Sequence, residues 1–268
     1  MPTALLNGAS IYFEDSGDGV PLLLVSGQGS DHTGWDGTRD DFTAAGFRTI
    51  TWDHRGTGAS DKPREPAYSI IGFAADAVAL LDHLGIAKAH AYGISMGGRI
   101  CQRLAIDHHE RMGAVVLGCT TPGNLHGVRR PPEVDAHMAN RPADPEEAML
   151  FLASELVSLE WMAANPEYIA RTRQRYANPI PGYAQKLHYA ASEGHEAWAE
   201  LPGITNPVLV IHGDNDRINV TANGYLLAGR IPGAELAIIP GGRHGFFIEF
   251  REEASARVIR FLEEHPLG

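Results

Sequence analysis

Short strand-like segments, of which Leu22–Val25 is wholly apolar, alternate along the chain with segments of helical period, and this alternation limits the folds open to it. Short apolar runs are typical of strands covered on both faces. The predicted strands are Leu22–Val25, Arg48–Trp52, Ala89–Tyr92, Ala114–Leu117, Val208–Ile211 and Glu235–Ile239, and the predicted helices are Ile70–Leu84, Arg99–His108, Ala222–Arg230 and Glu252–Glu264. Strands that alternate with helices predict an α/β fold with a parallel sheet and helices on both faces.

The alternation stops between residues 123 and 201. This segment opens with the stretch GNLHGVRRPP and then contains only helical patterns, at Pro145–Ser158, Pro166–Tyr176 and Tyr183–Glu193. Proline fits the first turn of a helix, where its missing N–H has no partner to lose. We interpret residues 123–201 as a helical cap, or lid, inserted into a core domain made of residues 1–122 and 202–268.

Charge and cysteine content exclude several classes of protein. The formal net charge of −11 disfavours nucleic acid as a partner, because a negative field repels phosphate. Cys101 and Cys119 are too few for a disulfide framework and lie in apolar stretches, so we expect buried free thiols. Neither a leader-like segment nor an apolar run of membrane-spanning length is visible, so we expect a cytoplasmic protein without a membrane span. The sequence leaves monomer and homodimer open.

The pentapeptide Gly93-Ile94-Ser95-Met96-Gly97 has the pattern G-x-S-x-G and follows a predicted strand directly. In that context the pattern is typical of a sharp strand-to-helix turn that exposes a nucleophilic serine hydroxyl. The glycines permit the tight turn, and the following helix directs free N–H groups toward the reacting centre. We therefore predict that Ser95 is a nucleophile, against the alternative of a serine that only caps a helix.

A serine needs a base to take its proton and a carboxylate to orient that base. His244 lies in the loop after the last predicted strand, where sites of open α/β sheets gather. The preceding strand ends in a turn with two candidate acids, Asp214 and Asp216. We prefer Asp216, because a residue within the turn can point back to the imidazole, and keep Asp214 as the alternative.

The first predicted strand leads into the glycine-containing loop Ser26–Ser30. A backbone N–H in such a loop and the N–H after the nucleophile bind the developing oxyanion of acyl transfer. These donors would be Gln28 and Met96. The glycine spacing does not fit a dinucleotide fingerprint, and neither a phosphate-binding loop nor a metal-ligand spacing appears, so we expect no cofactor and no metal.

Six ordered motifs resemble those of the α/β-hydrolase superfamily, in particular its bacterial carboxylesterase, enol-lactonase and polyketide methylesterase branch. The motifs are SGQGSDHTGW, DHRGTGASDKP, GISMGGR, CTTPG, PVLVIHGDND and GGRHGFF. The resemblance covers nearly the whole chain. It implies a mostly parallel sheet of about eight strands, a helical cap after the sixth strand and no cofactor. It also implies a Ser95, Asp216 and His244 triad with oxyanion donors at Gln28 and Met96.

Aromatic residues suggest an apolar substrate pocket. Trp35, just after the oxyanion loop, and Trp161, in the cap, are the candidate substrate contacts. The main hypothesis is a serine hydrolase of apolar carboxylic esters or lactones that works through an acyl-enzyme. Two alternatives stay open, because fold alone does not fix function. One is the same triad used for perhydrolysis or carbon–carbon bond hydrolysis, and the other is a hydrolase-derived small-molecule binding protein with slow turnover.

Overall fold

The strands form one sheet of eight in a computed structural model, which describes residues 2–140, 142–176 and 179–268. Its strands are β1 (Thr3–Leu6), β2 (Ala9–Ser16), β3 (Val20–Val25), β4 (Phe47–Trp52), β5 (Ala89–Ile94), β6 (Met112–Gly118), β7 (Val208–Gly213) and β8 (Glu235–Ile239). They are arranged in the order β1-β2-β4-β3-β5-β6-β7-β8. The pairs β1–β2 and β2–β4 are antiparallel, and the strands from β4 to β8 are mutually parallel. The predicted mostly parallel sheet is confirmed.

Helices cover both faces of this sheet. They are α1 (Thr38–Ala44), α2 (Ile70–His83), α3 (Met96–Asp107), α4 (Pro132–Ala139), α5 (Pro145–Leu156), α6 (Leu159–Ala164), α7 (Pro166–Tyr176), α8 (Gly182–Glu193), α9 (Ala222–Arg230), α10 (Phe246–Glu249) and α11 (Arg251–Glu264). The start of α2 shows how local sequence sets an element. The Ser69 hydroxyl accepts a hydrogen bond from the Gly72 N–H, as an N-cap does, and Gly85 follows the helix at φ +67°.

Two core clusters lie on opposite faces of the sheet, because successive residues of a strand point to opposite sides. In β3, Leu23 and Val25 belong to the cluster on the α2 and α3 face, whereas Leu22 and Leu24 belong to the cluster on the α11 face. All four side chains have no more than trace exposure. The predicted continuous apolar strands are therefore buried on both faces. Cys101 and Cys119 are free, buried thiols, as predicted.

The β1–β2 hairpin was not predicted. Strand β1 alternates between buried and exposed residues, and β2 mixes buried with partly exposed ones, so both lack the long apolar runs of the central strands. The sequence did carry a signal, because Asn7 and Gly8 form the connecting turn at φ +47° and +81°. An Asn-Gly pair between alternating segments is the typical two-residue hairpin turn.

The segment between β6 and β7 contains the helices α4 to α8 within the described residues. Helix α4 was not predicted, since prolines surround its start. The two ends of this inserted segment meet: Gly123 forms an isolated antiparallel bridge with Glu196, and the Ala197 N–H donates to the Pro122 carbonyl at 2.8 Å. The chain thus leaves and re-enters the sheet domain at one place. We refer to residues 123–201 as the inserted segment.

None of the helices in the described ranges combines the length and the hydrophobicity that a membrane crossing requires.

Candidate active site

Ser95 occupies the tight turn between β5 and α3. Its backbone has φ +56° and ψ −118°, a region that residues other than glycine rarely adopt. A Cβ at Gly93 would lie 2.2 Å from the Gly97 carbonyl oxygen, and a Cβ at Gly97 would lie 2.0 Å from the Val25 carbonyl oxygen. The two glycines of the pentapeptide are therefore required by close backbone contacts, and the turn has the geometry that the motif predicted.

Hydrogen bonds hold this turn in place. The Ser95 N–H donates to the Gly118 carbonyl at 2.9 Å, and the Ser95 carbonyl accepts from the Thr120 hydroxyl at 2.7 Å. Ser95 is partly exposed, whereas Ile94 and Met96 on either side are buried. The serine side chain is thus presented at the carboxyl edge of the sheet while its backbone is fixed.

The structure brings His244 and Asp216 together. His244 Nδ1 lies 2.8 Å from Asp216 Oδ2, and both side chains are buried. The carboxylate can only accept this bond, so Nδ1 carries the hydrogen and Nε2 is left with a free lone pair. An imidazole held in this tautomer can take a proton through Nε2.

Both oxygens of the Asp216 carboxylate have hydrogen-bonding partners. Its Oδ1 accepts from the N–H groups of Ile218 at 2.8 Å and Asn219 at 3.0 Å, and its Oδ2 lies 3.2 Å from His212 Nε2. Burial by itself would raise the pKa of Asp216, but the neighbouring His244 and His212 outweigh burial and hold that pKa well below its usual range. Asp216 is therefore ionised in the folded protein.

Asp214, the competing acid, has a different environment. Its carboxylate is exposed, and its Oδ1 accepts from the Gly241 N–H at 2.7 Å. This bond joins the turn after β7 to the loop after β8. In the described structure the imidazole of His244 is therefore bound by Asp216. Asp214 instead forms a hydrogen bond to the loop after β8.

Ser95 and His244 are not joined by a hydrogen bond in the described structure. Such bonds are often long in free enzymes and shorten when substrate binds. The pair of Asp216 and His244 is assembled in this structure, whereas a contact between Ser95 and His244 stays a prediction.

Two backbone N–H groups near Ser95 are available to a ligand. Neither the Gln28 N–H nor the Met96 N–H donates to another described residue. Met96 begins α3, so its N–H is one of the unpaired donors of a helix start. A Cβ at Gly27 would lie 3.4 Å from the Ser95 Cβ, which shows that the loop before Gln28 passes directly over the serine. This is the arrangement in which an oxyanion would be bound.

The two predicted substrate contacts differ in position. Trp35 has no exposed surface and packs in the core at ring-centroid distances of 5.0 Å from Tyr92 and 5.6 Å from Phe247. A side chain without exposed surface does not line an open pocket, so the structure corrects the prediction that Trp35 binds substrate. Trp161 is half-buried in the inserted segment, with its ring 5.2 Å from that of Tyr168. A substrate contact by Trp161 stays a prediction.

One group in the described residues has the composition of a metal site. The possible ligand atoms of Asp31, His32 and Asp53 lie within 4.8 Å of one another. Each carboxylate already accepts backbone hydrogen bonds: Asp31 from Thr33 at 3.0 Å, and Asp53 from His32 at 2.8 Å and Ala59 at 2.7 Å. These bonds order the loops after β3 and β4, and the group is explained without a metal.

Sequence reasoning missed His212, which is fully buried at the end of β7. Its Nε2 lies 2.6 Å from the Asn219 carbonyl oxygen and 3.2 Å from Asp216 Oδ2. Both partners are acceptors, so Nε2 must carry a hydrogen and donate. The signal was present in the sequence, since His212 stands four residues before Asp216 within the HGDND motif.

Comparisons with known proteins agree with this fold. Residues 20–250 match the family model of the alpha/beta hydrolase fold. The enol-lactonase from Burkholderia xenovorans LB400 superposes with a TM-score of 0.84 at 27% identity, covering 98% of this chain and 100% of that chain. Est816, described as an N-acyl homoserine lactone degrading enzyme, superposes with a TM-score of 0.84 at 30% identity, covering 97% and 100%.

A protein of Caulobacter vibrioides that is provisionally named carbamate hydrolase RutD is 29% identical over 245 residues, which are 90% of each chain. These relatives are thus named as hydrolases, and the two solved structures are named as lactone-cleaving enzymes. Since the family model spans most of the sequence and the sheet order agrees with it, the chain belongs to the α/β-hydrolase fold family, on its esterase and lactonase branch.

Proposed function

We propose that this protein is a serine hydrolase that cleaves carboxylic esters or lactones through an acyl-enzyme. The observation that carries the proposal is the 2.8 Å contact between His244 Nδ1 and Asp216 Oδ2 at the sheet edge where Ser95 is presented. A neutral imidazole with a free Nε2 is the base that a serine hydroxyl needs.

In the proposed mechanism, Ser95 Oγ attacks the ester carbonyl carbon while His244 Nε2 accepts the hydroxyl proton. Asp216 stabilises the imidazolium that forms. The Gln28 and Met96 N–H groups bind the oxyanion of the tetrahedral intermediate. The C–O bond then breaks, and His244 returns the proton to the leaving alcohol. Water, activated by the same imidazole, hydrolyses the acyl-Ser95 ester and restores the free hydroxyl.

The relatives support lactones as one of the two proposed substrate classes. For a lactone the leaving alcohol stays attached to the acyl group, so the ring opens on the enzyme and is released as one hydroxy acid. The enol-lactonase and Est816 share 27% and 30% identity with this chain over nearly its full length. The residues used in the chemistry are the same for esters and for lactones.

A carbamate is a second candidate substrate, favoured by the 29% identity to the protein provisionally named carbamate hydrolase. Attack by Ser95 on a carbamate carbonyl with loss of the alcohol would leave a carbamoyl group on the serine, whereas loss of the amine would leave an alkoxycarbonyl group. The two candidates differ in the mass of the covalent intermediate. Quenched reactions analysed by mass spectrometry with one ester, one lactone and one carbamate distinguish them.

The test of the proposal is the Ser95→Ala variant. We expect kcat on p-nitrophenyl acetate to fall by about a thousandfold or more, with an unchanged melting temperature. A fluorophosphonate probe should label the wild type at Ser95 and leave the variant unlabelled. Ser154→Ala, in α5, is the matched control and should keep full activity, since its hydroxyl donates to the Phe151 carbonyl within the same helix and its backbone is unchanged. Retention of a tenth of wild-type kcat by Ser95→Ala would overturn the proposal.

A further inference from the structure

Arg99 is a buried cation one helical turn after Ser95. Its side chain lies at the boundary between α3 and the inserted segment and is 7% exposed. Nη1 donates to the Ser192 carbonyl, and Nη2 donates to the Thr121 hydroxyl at 3.1 Å. Its Nε–H has no hydrogen-bond partner. Both of its bonded partners are neutral, so no carboxylate contacts this guanidinium within the described residues.

Other buried arginines of the chain are neutralised. Arg55 forms two hydrogen bonds to Asp76, at 2.7 and 2.6 Å, and Arg103, one turn further along α3, pairs with Asp107 and Glu200. A buried charge is costly unless it is paired. Burial lowers the pKa of Arg99, and Glu193 only partly opposes this effect. Arg99 therefore lacks the counter-anion that its neighbour on the same helix has.

A cavity of about 290 Å³ adjoins this guanidinium. Its lining includes Arg99, Thr121, Arg129, Arg130, Ile218 and Asn219. The last two residues are those whose N–H groups bind the Asp216 carboxylate. The cavity therefore borders the turn that holds Asp216 on one side and the beginning of the inserted segment on the other.

The cavity is lined by more basic than acidic groups. Asp135 and Glu193 also line it, but Asp135 is bound to Arg130, and Glu193 does not form an ion pair with Arg99 in the described structure. Arg129 is exposed at the rim. A small anion that entered from solvent would meet Arg129 first and could then reach Arg99.

We propose that Arg99 and this cavity bind a carboxylate carried by the substrate, so that the preferred substrate is an ester or lactone with an additional carboxylate group. This inference rests on the proposed function. A planar guanidinium with free N–H groups matches a carboxylate in both charge and shape. The backbones of Ser95 and Arg99 lie about 6 Å apart along the helix axis. Because the arginine side chain adds its own length to this separation, substrates of several chain lengths are compared.

The test compares pairs of substrates of equal length. The monomethyl esters of succinate, glutarate and adipate are each measured against the methyl keto ester in which an acetyl group replaces the carboxylate. We expect kcat/KM for at least one monomethyl ester to exceed that of its neutral partner by about tenfold or more, because hydrogen bonds to charged groups contribute that much. Arg99→Gln should abolish this ratio through a rise in KM for the monomethyl ester.

Two further variants separate recognition from structure. Arg99 also joins α3 to α8, so a purely structural role would lower kcat/KM of both members of a pair equally and leave their ratio unchanged. Arg99→Lys keeps the positive charge but lacks the planar guanidinium with its two parallel N–H donors. It should therefore retain part of the preference for the monomethyl ester over its neutral partner. Arg103→Gln, a buried arginine outside the cavity, is the matched control and should leave the ratio at its wild-type value. A wild-type ratio near one for all three pairs, or a ratio that persists in Arg99→Gln, would overturn the inference.

Calorimetry with glutarate makes the test independent of hydrolysis. Glutarate should bind the wild type and should not bind Arg99→Gln. If the wild type hydrolyses no ester but binds glutarate through Arg99, the proposed function fails and the anion site stands. If esters are hydrolysed but glutarate does not bind, the anion site fails alone.

Discussion

His244 Nδ1 and Asp216 Oδ2 lie 2.8 Å apart, and the second oxygen of the same carboxylate is fixed by two backbone N–H groups. The carboxylate therefore cannot turn away without losing several hydrogen bonds at once. The orientation and tautomer of the imidazole are set before any substrate arrives. This arrangement removes a reorganisation cost from the reaction and makes Asp216 the residue whose charge should matter most.

Asp216→Asn should lower kcat by at least about a hundredfold, because the amide places an N–H where His244 needs an acceptor and favours the wrong tautomer. The shape of the side chain and its Oδ1 contacts are kept. The measurement is kcat on p-nitrophenyl acetate together with thermal unfolding. Asp214→Asn is the matched control two residues away and should retain kcat within about threefold, since Asp214 contacts the Gly241 N–H instead. A larger loss of kcat in Asp214→Asn would transfer the acid role to Asp214.

Gln28→Pro should lower kcat by about a hundredfold or more, because it deletes one N–H of the proposed oxyanion site. Gly27 precedes it and lacks the Cβ that clashes with a following proline, so the loop should tolerate the ring. The Gln28 side chain is exposed, and Gln28→Ala, which keeps the N–H, should retain wild-type kcat. Equal activity of the two variants would show that this N–H does not bind the oxyanion.

Ser95→Gly should be more stable than Ser95→Ala by about 1 kcal/mol, because the backbone at φ +56° is strained for any residue with a Cβ. The free energy of unfolding in urea is the readout, and neither variant is expected to be active. At Ser154, inside α5, the order of stability should be reversed. Ser154→Gly should be less stable than Ser154→Ala, since glycine within a helix costs about 1 kcal/mol relative to alanine. The same order at both positions would argue against strain in the Ser95 turn.

The protein should lose stability as the pH falls from about 6.5 to about 4. Burial lowers the pKa of His188 to about 4, whereas an unfolded histidine titrates near 6.5. Between these values the unfolded chain binds more protons than the folded one, so acid favours unfolding. Burial likewise lowers the pKa of His54, which packs beside His188, to about 4.

His188→Gln should therefore reduce the loss of unfolding free energy between pH 7 and pH 4.5 by about 2 kcal/mol. Urea titrations at several pH values measure this dependence. His109→Gln is the control, because the His109 side chain is 62% exposed. A pH dependence in His188→Gln as steep as in the wild type would contradict the assignment of this proton uptake to His188.

Strands β3, β6 and β7 were predictable because they carry continuous apolar runs, which are typical of strands covered on both faces. Helix α9 and strand β8 were predicted with the bounds that the structure shows. The β1–β2 hairpin was missed, since its short strands alternate and only the Asn7-Gly8 pair marks them. Helix α4 was missed because its proline-rich start resembles a loop.

Part of the candidate active site, the turn around Ser95, could also be predicted from the sequence. The turn around Ser95 requires glycines at fixed positions, and such steric requirements leave a clear pattern in the sequence. Whether Asp214 or Asp216 faces His244 depends on how one turn is folded, which the sequence does not encode in residue type. Residue type also did not reveal that the Trp35 ring points into the core, although Trp35 follows the loop proposed to bind the oxyanion. Nor did it reveal that Arg99 has no carboxylate partner among the described residues, which only its contacts show.

The bridge between Gly123 and Glu196 gives the inserted segment a modular character. Its two ends lie side by side, so another segment inserted in its place would have to span only the distance between two paired strands. The entropy lost on closing such a loop changes little with its length. The Ser95 turn and the His244 loop lie outside the splice points. A laboratory chimera joined at Gly123 and Glu196 can therefore exchange the inserted segment while the Ser95 turn and the His244 loop keep their own sequences.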